Sequence, residues 1–223
     1  MFEVTSAWKS AFPGAHVGVL AMKDVANPTH HAELENLKAE LESGLREQFK
    51  GQDRTALSSH PILQVYGEYY KRFKKTYHVQ LQLESIVMKE KSIPSVASLV
   101  EAMFMAEVKN MLLTAGHDLD VLQLPLTLDV SNGTESYTVM RGEVQTLKPG
   151  DMFISDQMGI ISDIIYGPDQ RTQINANTRH VVFTVYAPDG IHEQTVMDHL
   201  QDIRDYVLLI APQAQAELIK VFC

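Results

Sequence analysis

The chain has 223 residues and a net charge of −9, from 19 lysines and arginines against 28 aspartates and glutamates. This balance argues against binding nucleic acid through bulk electrostatics, because phosphate contacts need concentrated cations. No apolar run approaches the roughly 20 residues that cross a bilayer, and the first residues lack the pattern of a signal peptide, so a cytoplasmic location is expected. The single cysteine, Cys223, excludes an internal disulfide.

The first half of the sequence is predicted to be mainly helical. Residues 17–22 form a short apolar run, which is typical of a buried strand. Thr29 is predicted to cap an amphipathic helix whose leucines recur at helical spacing as far as Phe49, and residues 53–59 are predicted to form a polar loop. Three further helices are predicted, over residues 61–73, about 80–89 and about 95–112.

After Gly116, short β-prone segments alternate with turn signals. These segments are 122–130, 136–140, 152–155, 160–166 and 181–186. Asn132-Gly133 between two of them is typical of a hairpin. A closing helix is predicted from about Glu193 to Ile210, before Pro212. Helices first and strands later predict an α+β fold, in which helices pack on a mainly antiparallel or mixed β-sheet or sandwich.

The chain is expected to be a single domain, because no internal repeat and no clear linker divides it. Within this domain, residues 1–55 are predicted to be an N-terminal strand and helix extension. Residues 60–190 are predicted to be the core, and residues 191–223 a C-terminal helix. The sequence leaves open whether the first segment is an added subdomain or part of one core.

Several kinds of site are excluded by the absence of their motifs. There is no Gly-rich phosphate loop, no dinucleotide fingerprint and no Gly-x-Ser-x-Gly nucleophile elbow. The nine histidines include no His-Glu-x-x-His pair, and the adjacent His30 and His31 would point about 100° apart on a helix. We therefore expect neither a metal site nor a cofactor.

The densest basic cluster is Lys71-Arg72-Phe73-Lys74-Lys75, flanked by Tyr69, Tyr70 and Tyr77. Aromatic rings interleaved with cations suit stacking on bases beside phosphates, which makes Lys71, Arg72, Lys74 and Lys75 candidate RNA contacts. The alternative is a helix whose basic face is solvated and whose tyrosines pack inward. Both interpretations stay open.

Two stretches of the sequence resemble a known family. In the first, a predicted helix runs into Gly116 and then His117-Asp118-Leu119-Asp120. The second contains a Gly-Thr-Glu turn, a segment that ends in Asp, a Gly-Ile pair, a further turn and a later Asn and Thr: 133–135, Asp156, 159–160, 167–169, Asn175 and Thr178. Together they cover about 60–190 and resemble the tRNA-editing domain, called B-three/B-four, of the bacterial phenylalanyl-tRNA synthetase beta subunit, in a free-standing form.

The resemblance implies an editing-domain-like fold and a site that removes tyrosine wrongly attached to phenylalanine tRNA. By this resemblance His117, Asp169 and Thr178 are the expected catalytic residues, with His117 positioning the ester or the attacking water. Asp169 stands where the family has glutamate, which is one methylene longer, so the substrate preference is expected to differ. The residues expected to bind substrate are Asp120, Gly159, Gly167, Arg171 and Asn175.

Each of these residues also has a purely structural interpretation. A histidine after a helix, as predicted for His117, is typical of a C-terminal cap. Asp118 and Asp120 are typical of turn hydrogen bonds, and Arg171 of a surface salt bridge.

The leading hypothesis is a tRNA-binding, editing-domain-like hydrolase that clears mischarged aminoacyl-tRNA in trans, with water as nucleophile. The alternatives are a non-catalytic RNA-binding module and an amino-acid or small-metabolite binding protein with the same fold, since the fold alone does not decide between them. The hydrolase hypothesis predicts a pocket between the helix predicted at 95–112 and the sheet. This pocket would be lined by His117, Asp169 and Thr178 and would open towards the basic segment 71–75.

Overall fold

The computed structural model describes residues 1–223 and contains helices and two main sheets. The helices are α1 (Ser6–Ala11), α2 (Ala32–Gln48), α3 (Arg54–Ser58), α4 (Pro61–Lys71), α5 (His78–Lys89), α6 (Ser98–Asn110) and α7 (Glu193–Ile210). The strands are β1 (Phe2–Val4), β2 (His16–Lys23), β3 (Leu113–Asp118), β4 (Leu126–Val130), β5 (Ser136–Thr138), β6 (Val144–Thr146), β7 (Met152–Asp156), β8 (Gly159–Asp163), β9 (Gly167–Pro168), β10 (Val181–Ala187) and β11 (Gln215–Phe222). The predicted α+β class is confirmed.

The two sheets and the helices are stacked in layers. One sheet has the order β11-β2-β10-β3 and is antiparallel throughout. The other has the order β1-β4-β7-β8-β9, and its only parallel pair is β1 with β4. Helix α7 covers one face of the first sheet, where a side chain at Gly18 would collide with Val196 and Leu200. On the other face, the Tyr186 hydroxyl lies 2.6 Å from the Ser162 hydroxyl of β8, which joins the two sheets.

The N-terminal segment is built into this core. Strand β2 lies between β10 and β11, and β1 pairs with β4. A strand with partners on both sides cannot be removed without exposing two rows of backbone hydrogen-bonding groups. We therefore propose that the chain is one domain, in which residues 1–55 belong to the core. None of the helices combines the length and the apolar character of a membrane span.

The predicted loop at 53–59 is wrong, because residues Arg54–Ser58 form α3. The Asp53 carboxylate accepts a hydrogen bond from the Ala56 N–H at 2.8 Å, which caps the helix. Leu57 is fully buried in the core, so a single side chain anchors a segment that is otherwise polar. The cap of α2 also differs from the prediction, since it is His31 and not Thr29.

The predicted helix 95–112 is shorter than expected and is followed by a strand. Helix α6 ends at Asn110, where Met111 adopts a left-handed conformation (φ 59°), and β3 begins at Leu113. All six residues of β3 are buried, so its sequence lacks the alternation of apolar and polar residues that marks a half-exposed strand. His117 therefore lies in a strand, and its interpretation as a helix cap is wrong.

The predicted C-terminal helix is confirmed as α7, but β11 was not predicted. Residues Gln215–Phe222 pair with β2 at the edge of the sheet, and most of them are exposed or half-exposed. An edge strand of this kind lacks a strong apolar pattern, so periodicity alone does not reveal it.

Candidate functional site

The candidate site is organised around the edge strand β3. The Asp118 N–H donates to the Thr172 carbonyl at 2.8 Å, which attaches the segment 169–180 to the free edge of this strand. Neighbouring side chains of a strand point to opposite faces. His117 and Asp118 consequently meet this segment at two different places, one on each face of the sheet.

On one face, His117 is connected to Asp169 through Thr172. The His117 Nδ1 lies 2.7 Å from the Thr172 hydroxyl, which donates in turn to the Asp169 Oδ1. An ionised carboxylate only accepts hydrogen bonds, so the Thr172 proton points to Asp169 and the His117 Nδ1 carries the proton that meets Thr172. His117 is thus joined to Thr172 and Asp169, which lie more than 50 residues later in the sequence, by one directed chain of hydrogen bonds.

His117 is neutral in this arrangement. Its side chain is fully buried, and burial, together with the nearby charge of Arg171, lowers the pKa of the imidazole to about 3. Its Nε2, which is the accepting nitrogen of this tautomer, is buried without a hydrogen-bond partner. His117 therefore holds Thr172 in place and does not itself reach solvent.

On the other face, Asp118 ties down the loop that carries Asn175 and Thr178. Its Oδ2 accepts hydrogen bonds from the Thr178 hydroxyl at 2.6 Å and from the Asn175 amide at 3.2 Å. The Thr178 hydroxyl also accepts from the Asn175 N–H at 3.0 Å. All donors in this small network are used locally, and Thr178 is fully buried. The Asn175 and Thr178 side chains therefore hold this loop against Asp118.

Arg171 lies between two carboxylates. Its two terminal nitrogens bind the oxygens of Asp156 at 2.9 and 3.0 Å, and its Nε lies 3.6 Å from the Asp169 Oδ2. Burial disfavours the charged form of Asp156, but the hydrogen bonds from Arg171 and from backbone N–H groups outweigh it and lower the pKa of this carboxyl. Burial raises the pKa of Asp169, against the hydrogen bonds from Thr172 and the charge of Arg171.

A cavity of about 370 Å³ lies beside Asp169. Among its lining residues are Ser136, Thr138, Gly159, Asp169, Gln170 and Arg171. It offers one carboxylate and one guanidinium side by side, with hydroxyl and amide groups around them. This size and this mixture of groups suit a small polar ligand.

The predicted site residues are only partly brought together. Gly159 and Arg171 line the cavity with Asp169, whereas the other three predicted substrate-binding residues do not. The Gly159 N–H already donates to Asp156, and the Gly167 N–H to Asp163. Asp120 is at the surface, 2.6 Å from the His180 Nδ1. The expected pocket lined by His117, Asp169 and Thr178 is wrong, because strand alternation separates His117 from Thr178 and both are fully buried.

Sequence reasoning missed Thr172 as the residue that links the site, and missed the role of Asp156. The signal for Thr172 was its position three residues after Asp169. At this spacing the Asp169 side chain accepts both the N–H and the hydroxyl of Thr172. No local signal marks Asp156 as the partner of Arg171, because 15 residues separate the two.

The basic segment lies on the surface, as the solvated-face interpretation predicts. Lys71, Arg72, Lys74 and Lys75 are exposed at and after the end of α4. The flanking residues Tyr69, Tyr70 and Tyr77 are buried. The prediction that bases stack on these rings is therefore wrong. Lys75 Nζ lies 5.3 Å from the centre of the Tyr166 ring, which places the segment close to the turn that leads to Asp169.

We expect Thr172→Val to destabilise the fold by about 2–4 kcal/mol, since it leaves the His117 N–H and one Asp169 contact unsatisfied in a buried place. Thr172→Ser keeps the hydroxyl and loses only a methyl group, so a loss of about 1 kcal/mol is expected. Urea denaturation of both variants measures the difference. Equal losses of unfolding free energy in the two variants would show that the Thr172 hydroxyl, which bridges His117 and Asp169, does not stabilise the fold.

Comparison with known proteins adds a likeness at the level of structure. No protein-family model and no curated protein matches the sequence. Among solved structures, the fold is similar to an N-terminal fragment of the phenylalanyl-tRNA synthetase beta-subunit from Pyrococcus horikoshii, with 10% sequence identity and a TM-score of 0.49. The alignment covers 99% of this chain and 50% of that one, so the chain spans about half the length of the fragment. This likeness bears on neither the site nor the activity.

Proposed function

We propose that the protein binds the aminoacylated 3′ end of a tRNA at the cavity beside Asp169 and hydrolyses the aminoacyl ester. One observation carries the proposal. His117 and Asp118, in the first stretch that resembles the editing family, bond directly to Thr172 and Thr178 in the second stretch, 55 and 60 residues later. These contacts lie next to a cavity that is lined by Asp169.

Asp169 is the residue proposed to activate water. Burial raises its pKa, which makes its carboxylate a stronger proton acceptor than an exposed aspartate. Its Oδ1 accepts the Thr172 hydroxyl, whereas its Oδ2 has a looser contact of 3.6 Å with the Arg171 Nε, and Asp169 lines the cavity. The water oxygen bonds to the ester carbon while its proton passes to Asp169. The bond to the ribose oxygen then breaks, and that oxygen takes up the proton.

Arg171 is proposed to stabilise the negative charge that develops on the carbonyl oxygen. Its position is fixed by the paired contacts with Asp156, so no reorganisation is needed during the reaction. His117 is a positioning residue in this scheme, because it acts on Asp169 only through Thr172. The cationic residues Lys71, Arg72, Lys74 and Lys75 are proposed to contact tRNA phosphates.

A second candidate function is the binding of a free amino acid without RNA. Asp169 and Arg171 line the same cavity, and a carboxylate beside a guanidinium matches the ammonium and carboxylate groups of a free amino acid. A third is a non-catalytic RNA-binding module, which is favoured by the complete burial of His117 and Thr178.

Release of labelled amino acid from a panel of mischarged tRNAs tests the proposal. We expect the protein to release at least one amino acid faster than the uncatalysed rate, with no added metal. Calorimetric titration with free amino acids is the parallel measurement. Binding of free amino acids without any release would favour the second candidate, and binding of tRNA without release would favour the third.

A further inference from the structure

A cationic groove lies at the end of β7 that is remote from the candidate site. It has a volume of about 410 Å³ and is lined by Arg72, Phe73, Lys74, Lys148 and Pro149. Its three cations are exposed, and none has a carboxylate oxygen within 4.0 Å. The groove is therefore a positively charged patch on a protein whose net charge is −9. Such a patch raises the local concentration of anions.

The groove is fixed by neutral contacts that leave its charge uncompensated. The Arg72 guanidinium donates to the Gly150 carbonyl at 3.1 Å and lies 5.0 Å and 5.3 Å from the ring centres of Tyr69 and Phe73. Gly150 has φ 79°, and a Cβ there would lie 3.4 Å from the guanidinium. The Gly150 N–H donates to the Ser131 carbonyl at 2.8 Å, so the turn next to Lys148 is held in place.

These groups match a single-stranded phosphodiester chain. A guanidinium and two ammonium groups suit phosphate oxygens, and the half-buried Phe73 ring, which the Arg72 guanidinium contacts at 5.3 Å, is the one aromatic group that lines the groove. Lys71 and Lys75 line a different cleft, together with Glu68 and neutral polar side chains. The basic segment is therefore divided between a purely cationic groove and a mixed-charge cleft.

The groove lies close enough to the candidate site for one RNA strand to contact both. Gly150 precedes β7, and Asp156, which holds Arg171, ends it. At about 3.3 Å per residue, the two ends of this segment are roughly 20 Å apart. A short single-stranded segment can bridge this distance along the surface.

We infer that the groove formed by Arg72, Phe73, Lys74 and Lys148 binds the phosphates of the single-stranded end of an RNA whose terminal nucleotide occupies the Asp169 cavity. This inference rests on the proposed function for the identity of the RNA. The inference adds Lys148, which lies outside the basic segment, to the residues proposed to bind phosphate. It also implies that Lys71 and Lys75 contribute little to RNA binding.

Charge reversal separates the groove from its surroundings. Three double variants change the net charge equally: Lys74→Glu with Lys148→Glu in the groove, Lys71→Glu with Lys75→Glu in the cleft, and Lys89→Glu with Lys91→Glu as a control at the end of α5. The dissociation constant for uncharged tRNA is measured by fluorescence anisotropy over a range of salt concentrations. We expect the groove pair to weaken binding at least about tenfold and to reduce the salt slope by about two. The cleft pair should weaken it less than about threefold, and the control less than about twofold.

The outcomes that overturn the inference differ from those that overturn the hydrolase. Equal effects of the groove and cleft pairs, or binding of phosphatidylserine vesicles in place of tRNA, would show that the groove is not an RNA site. Release of amino acid at saturating protein would still report the hydrolase in that case. Conversely, a selective effect of the groove pair without release from any aminoacyl-tRNA would support the groove and reject the hydrolase.

Discussion

Asp169→Asn is expected to slow the release of amino acid from aminoacyl-tRNA by at least about 100-fold, because an amide cannot accept the proton of the attacking water. The asparagine oxygen can still accept the hydrogen bond from Thr172, so the chain that leads to His117 is preserved. Single-turnover release at saturating protein measures the chemical step apart from tRNA affinity.

The control for this substitution is Asp205→Asn, which makes the same chemical change on α7 at a side chain that is 62% exposed. Release by this variant should equal that of the wild type. If Asp169→Asn raises the tRNA concentration needed for half-saturation but leaves the single-turnover rate unchanged, Asp169 recognises the substrate and does not act as the base.

A second large effect is expected at the buried pair Asp151 and Asp163. Both side chains are buried, and the charge of Asp163 disfavours ionisation of Asp151. The Oδ2 atoms of Asp151 and Asp163 are both buried without a hydrogen-bond donor. The Tyr69 hydroxyl donates to the Asp151 Oδ1, and the N–H groups of Tyr166 and Gly167 donate to the Asp163 Oδ1. We infer that these two carboxyl groups share one proton near neutral pH, since two buried charges that interact would repel each other.

The shared proton makes stability depend on pH. Burial and the charge of Asp163 raise the pKa of Asp151 to about 8, and burial raises that of Asp163 to about 6. Between about pH 6 and pH 8 the folded pair holds one proton that the unfolded state has released, and between about pH 4 and pH 6 it holds up to two. The contribution of the pair to stability is therefore largest at low pH and decreases as the pH rises towards 8, by at most about 1.4 kcal/mol per pH unit for one proton.

Asp151→Asn is expected to remove this dependence. Its amide can donate to Asp163 in place of the shared proton, and its oxygen can accept from Tyr69. Relative to the wild type, the variant should gain about 1–3 kcal/mol between pH 6 and pH 9, as measured by urea denaturation at each pH. Part of the decrease of the unfolding free energy with rising pH should persist in both proteins, because burial also raises the pKa of Glu107 to about 8. Parallel curves for the variant and the wild type would contradict a shared proton.

The sequence by itself determined the fold class and most of the regular elements. Helices α4, α5 and α7 follow from apolar spacing and from the breakers that flank them, and β4, β7, β8 and β10 from β-prone runs between turns. These elements are amphipathic or bounded by strong turn residues, so local information is enough to find them. The residues of the candidate cavity that the sequence indicated, Asp169, Arg171 and Gly159, came from the family resemblance.

The tertiary structure alone decided how the site residues are joined. His117 and Asp118 are neighbours in sequence, but the pleat of β3 sends them to opposite faces. One therefore meets Thr172 and Asp169, and the other meets Thr178 and Asn175. The pairing of β3 with β10 sets this register, and no local pattern encodes it, because every residue of β3 is buried. For the same reason the partners of Arg171 and the groove between Arg72 and Lys148 became visible only once distant segments were packed together.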